Sequence, residues 1–76
     1  MHVGRLIESI VRNQGRSPSW VARQLHMVRV NVYDIFQRES VDSGLLRRLS
    51  LILDVDLFRI LSEDLQQTKA EKTDEK

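Results

Sequence analysis

Among the side chains of this 76-residue chain, the arginines have the most recognition chemistry to offer. Residues 1–53 hold eight (Arg5, Arg12, Arg16, Arg23, Arg29, Arg38, Arg47, Arg48) against Glu8, Asp34, Glu39 and Asp42, a local balance of +4. Every cation in that stretch is Arg, whose planar fork of N–H donors suits bidentate contact with phosphate or with guanine. Residues 54–76 hold Arg59 and three Lys against seven acids, a balance of −3, so the net charge of +1 conceals a basic part and an acidic one. An acidic end keeps such a chain from clinging indiscriminately to nucleic acid. The plainer account of the same charges is a solvated surface with accidental bias. Arg16, Ser17 and Ser19 add a local feature, two hydroxyls and a guanidinium at the positive end of an expected helix, where a phosphate could sit. Ser17 caps that helix in either case.

Other chemistries find little footing. Asp54-Val55-Asp56 has the look of paired metal-binding carboxylates, but it is better read as a turn in which Asp56 caps a helix and Val55 enters the core. His2 and His26 fall at a terminus expected to fray and in a turn, and neither belongs to a metal-ligand spacing. There is no Cys, hence no disulfide, no thiolate zinc site and no thiol nucleophile, and no Gly-rich phosphate loop is present. The expectation is a protein that is not an enzyme and uses no metal or cofactor.

The elements that must position these residues follow from apolar spacing. Val3, Leu6, Ile7, Ile10 and Val11 recur at i, i+3, i+4, i+7 and i+8, which predicts a first helix over Val3 to Asn13, stopped by Gly15. Ser17 as N-cap and Pro18 at the first helical position open a second helix, with Val21, Ala22 and Leu25 as its buried stripe. Ala22, the small member, is its contact point with the next helix. After a turn at His26-Met27-Val28, Val32, Ile35 and Phe36 define one face of a third helix over about Val28 to Gln37. Burying that face leaves Val30, Asp34 and Gln37 outward, flanked by Asn31 and Tyr33. Asp42 caps a fourth helix over Ser43 to Leu53, in which Leu45, Leu46, Leu49, Ile52 and Leu53 should be central. Arg47 and Arg48 lie on its exposed remainder, as solvated charges or as added phosphate contacts. A fifth helix over about Leu57 to Gln66 should turn Leu57, Phe58, Leu61 and Leu65 inward. Trp20 packs on the first helix or the core edge, or faces a partner's sugar backbone.

The stretch from Pro18 to Gln37 resembles the helix-turn-helix of the phage lambda repressor and Cro type, the XRE-like family of bacterial DNA-binding domains. Ala22 at the fifth position of the twenty-residue unit, Val21 and Leu25 beside it, Met27 closing the turn, and Val32, Ile35 and Phe36 carry the resemblance, which extends over roughly residues 3 to 65. Two positions depart from the family pattern: His26 stands where Gly is usual and must therefore enter the left-handed region, and Pro18 stands where a phosphate-anchoring Gln is frequent. The resemblance implies an all-α, compact bundle of five short helices, with its third helix in the major groove of double-stranded DNA. Arg29 is then the first choice for a base contact, a pairing worth ~1–3 kcal/mol of discrimination. Val30 could meet a thymine methyl, and Asn31 or Tyr33 could reach a base edge or a phosphate. Asp34 is awkward, since a carboxylate repels phosphate, though it could accept from a cytosine amino group or orient Arg38. Arg16, Ser17, Ser19, Gln37 and Arg38 are the phosphate candidates, Gln37 by matching a backbone-contacting family position.

Residues 1–66 are thus expected to form one DNA-binding domain, and 67–76 a frayed or disordered charged tail. No apolar run reaches the roughly 18 to 20 residues needed to span a bilayer, and no signal-peptide pattern follows Met1, so a cytoplasmic regulator without a small-molecule substrate is expected. Family members often pair through the last helix, which makes a homodimer through the fifth helix the partner expectation beside DNA. The alternative from another class is a protein-interaction module on the same fold, antitoxin-like or an adaptor subunit.

Overall fold

The computed structural model describes residues 2–64. Over these the chain is all-helical: α1 (Val3–Asn13), α2 (Pro18–Leu25), α3 (Arg29–Gln37), α4 (Ser43–Leu53) and α5, whose described part covers 57–64. The expected tail at 67–76, the inward placement of Leu65 and the end of the fifth helix at Gln66 lie outside the described residues.

Local chemistry accounts for the helix starts. Ser17 accepts from the Trp20 N–H at 3.1 Å, Asp42 from the Leu45 N–H at 2.8 Å and Asp56 from the Arg59 N–H at 3.1 Å, each satisfying a donor that the helix itself cannot. α1 is capped by a less usual residue. His2 is not part of a fraying end, as its position suggested: its Nδ1 accepts from the Arg5 N–H at 3.1 Å. α3 starts one residue later than expected, with Val28 extended before it and no side-chain cap.

Three helices end in the same way, with a single residue in the left-handed region that lets the chain fold back on the last turn. Gly15 has φ 70°, His26 φ 56° and Asp54 φ 54°. The following N–H of Arg16, Met27 or Val55 then bonds the carbonyl of Val11, Ala22 or Ser50 at 3.0, 3.0 and 3.2 Å. Only at Gly15 is the conformation free of steric cost.

Ile7 and Val11 of α1, Val21, Ala22 and Leu25 of α2, Val32, Ile35 and Phe36 of α3, Leu46, Leu49 and Leu53 of α4, and Leu57 form one buried core. α3 packs on both α1 and α2, and α4 on α2. Trimming Leu49, fully buried, to Ala would cost about 2–5 kcal/mol, a large share of a small domain's stability. Phe58 and Leu51 are among the apolar side chains that stay out. Phe58, expected inward, is 44% exposed, because one residue is about 100° of helix and burying Leu57 swings its neighbour away. Leu51 on α4 is 71% exposed.

The tightest joint lies where α1 meets the end of α3. The Val3 and Gly4 N–H groups donate to the Glu39 and Arg38 carbonyls at 3.1 and 2.9 Å, so orphan donors of one helix meet the chain leaving another. A Cβ at Gly4 would collide with the carbonyl oxygens of Ile35, Phe36 and Arg38. Side chains close two further helix ends: Gln14 Nε2 donates to the Leu53 carbonyl at 2.7 Å, and Arg48 Nη2 to the Leu25 carbonyl at 2.8 Å.

Candidate nucleic-acid interface

α3 is anchored by Val32, Ile35 and Phe36, all buried, and its other residues, Arg29, Val30, Asn31, Tyr33, Asp34 and Gln37, are all exposed. With about 100° between residues, Val30, Asp34 and Gln37 form a ridge, with Asn31 and Arg38 on one flank and Arg29 and Tyr33 on the other. Val30 is 72% exposed, an apolar tip at the first turn. The Arg29 guanidinium has no hydrogen-bond or ion-pair partner among the described residues and can reach outward. Tyr33, 47% exposed, stands edge-on to the buried Phe36 ring, with centroids 6.4 Å apart and planes at 89°. That contact holds the phenol ring and leaves its hydroxyl on the surface side.

Asp34 takes the orienting role open to it: Arg38 donates from Nε at 3.0 Å and from Nη2 at 2.7 Å to the same Oδ2. A guanidinium has five N–H bonds, so two held by Asp34 leave three for a partner. Asn31, Asp34 and Arg38 share a cleft with Met27, Ile35 and Leu45, which places α4 beside that flank.

The candidates at the start of α2 are spoken for in part. Ser17 uses an oxygen lone pair for its cap, leaving its O–H to donate, and Ser19 is half-buried. The Arg16 guanidinium lies 4.3 Å from the centroid of the Trp20 ring, a cation–π stack that fixes an otherwise mobile cation. Trp20 itself is partly buried against the core, the packing role weighed for it. Among the described residues no hydrogen bond or ion pair joins Arg16, Ser17 or Ser19 to the exposed residues of α3.

The eight arginines of residues 1–53 therefore divide. Arg12 pairs with Glu8 at 3.0 Å and Arg38 with Asp34, Arg48 closes α2, and Arg16 stacks. Arg5, Arg23, Arg29 and Arg47 are exposed, and their guanidinium groups have no partner among the described residues. Nothing local in the sequence joins Arg5 to α3, but the fold brings it, with His2, beside Tyr33 and Gln37. Among the described residues no three His, Asp or Glu side chains lie together as a metal cage, and no helix is long and apolar enough to cross a membrane. Comparison with family models, with curated proteins and with solved structures gives no match to this chain.

Proposed function

We propose that this chain is a sequence-specific double-stranded DNA-binding protein of the lambda-repressor type, a small bacterial transcriptional regulator that acts in the cytoplasm without a cofactor. The supporting observation is α3, buried on one face through Val32, Ile35 and Phe36 and presenting Arg29, Val30, Asn31, Tyr33, Asp34 and Gln37 on the other. It joins α2 through a turn in which His26 takes the left-handed conformation that the family resemblance asks of that position. In this reading α3 lies in the major groove, Arg29 reads guanine, Val30 meets a thymine methyl, and Asn31 or Tyr33 reaches a base edge or a phosphate. Gln37, Arg38, Arg16, Ser17 and Ser19 hold the phosphates, and α5 supplies a homodimer contact.

A second reading is favoured by one observation: Val28 and Val30 are 64% and 72% exposed at the start of α3, a more apolar tip than phosphate chemistry requires. On that reading the same face is an antitoxin-like or adaptor surface for a protein. Selection of the purified protein against a random-sequence duplex library at two salt concentrations separates them. DNA reading requires a short enriched motif and affinity that falls steeply with salt, because neutralised phosphates release counterions. No enrichment at low salt would overturn it in favour of the protein partner, whose mixed apolar interface changes little with salt.

A further inference from the structure

The start of α1 lies against the flank of α3 that carries Tyr33, across from the Arg38 side chain. The N-cap His2, Arg5 and Glu8 from the first two turns of α1, and Tyr33, Phe36 and Gln37 from α3 line a single cleft. At about 240 Å³ it falls below the ~300–1,000 Å³ of small-molecule pockets, so it suits one protruding group rather than an enclosed ligand. Its polar groups are mostly donors. The Arg5 guanidinium has no partner among the described residues, Tyr33 offers a hydroxyl and Gln37 an amide. His2 accepts the Arg5 N–H on Nδ1, which leaves Nε2 to carry the ring proton in the neutral imidazole. Glu8 is the one acid, and its carboxylate is held by Arg12 at 3.0 Å. The helix end itself offers little: the N–H groups of Val3, Gly4, Arg5 and Leu6 already bond Glu39 O, Arg38 O, His2 Nδ1 and His2 O. Any anion here is bound by side chains.

We propose that this cleft is a phosphodiester subsite in which Arg5 grips a DNA backbone phosphate, with Tyr33 and Gln37 as neutral donors beside it. The subsite rests on the DNA reading given above and extends it: α3 would be clamped on both flanks, by Arg38 on the α4 side and by Arg5 on the α1 side. Arg5 positions the helix without reading sequence, as phosphate contacts do.

The test is the salt dependence of binding to the motif recovered by selection, measured for the parent, Arg5→Gln, Arg5→Lys and Arg23→Gln. Arg23 is the control of equal charge, exposed on α2 and outside the cleft. Arg5→Gln should lower the slope of log K against log salt by about 0.9, weaken matched and scrambled duplexes alike, and leave the selected motif unchanged. Arg5→Lys should keep the slope, and Arg23→Gln should keep both slope and affinity. Because neither guanidinium bonds another group among the described residues, the variants should melt with the parent by circular dichroism. A parent that binds duplex while Arg5→Gln keeps its slope, or while Arg23→Gln loses as much, overturns the subsite and leaves the DNA reading standing. A parent that binds no duplex overturns both.

Discussion

Arg38 donates twice to one oxygen of Asp34, yet the two side chains remain 51% and 59% exposed. An i,i+4 pair that open to water contributes about 0.3–0.5 kcal/mol, too little for stability to be its main consequence. Its larger effect is on presentation: it fixes the direction of Arg38 and cancels one positive charge on the helix that carries the exposed ridge. Substituting Asp34 by Ala should change the unfolding free energy by no more than about 0.5 kcal/mol. On the DNA reading it should also raise affinity for a scrambled duplex while lowering the ratio of matched to scrambled affinity, since a repelling carboxylate is gone and Arg38 is no longer aimed. Competition binding monitored by fluorescence anisotropy gives both quantities. An unchanged ratio would mean that Asp34 neither reads nor aims.

The turn between α2 and α3 is the element on which the placement of the exposed ridge depends, and it contains a residue held at a cost. A left-handed L-residue is disfavoured by roughly 1–2 kcal/mol, and His26, exposed and without a side-chain hydrogen bond, offers nothing visible in return. His26→Gly should therefore stabilise the domain by about 0.5–1 kcal/mol after the added freedom of the unfolded chain is counted, a Tm rise of roughly 2–8 °C in thermal denaturation. His26→Ala should give no such rise; equal melting of parent and His26→Gly would mean the imidazole contributes contacts that offset its backbone. The need for positive φ at residue 26 was legible in the sequence through the family resemblance, and the bounds of α1 and α4 through apolar spacing and caps. What could not be read was whatever depends on a second element. Gly4 looks like an ordinary helical position until Ile35, Phe36 and Arg38 are set against it, and Arg48 like a solvated charge until the end of α2 arrives beside it. Phe58 was misplaced because its helix begins with the buried Leu57, which fixes the phase of the whole helix. Arg5 belongs to the same class: spacing put it on the outward face of α1, and only the packing of α1 on α3 brings it next to Tyr33 and Gln37.

At the scale of the molecule, on the DNA reading, the exposed face of the nine-residue α3 limits how much a single chain can discriminate. A helix in the major groove reaches three or four side chains to base edges, and dimers of such domains gain by engaging two half-sites about 34 Å apart. Phe58 and Leu51 stand out near the end of the described chain, on α5 and α4, on either side of the 54–56 turn. Single exposed apolar residues are ordinary, so the two by themselves do not require a partner. On the proposed reading a second copy attaches there, through α5. Phe58→Glu adds a charge to a position already open to water, so it should leave folding intact while opposing any apolar contact there. Sedimentation equilibrium should then show the parent as a dimer and the variant as a monomer. Affinity for a single half-site should be unchanged, and affinity for the paired site should fall by about 10²–10⁴-fold, the advantage that simultaneous engagement confers. If Phe58→Glu sediments and binds as the parent does, α5 is not the joint. The length of the selected motif then separates the remaining cases, because a lone half-site fits one chain acting alone and a palindrome requires pairing through another surface.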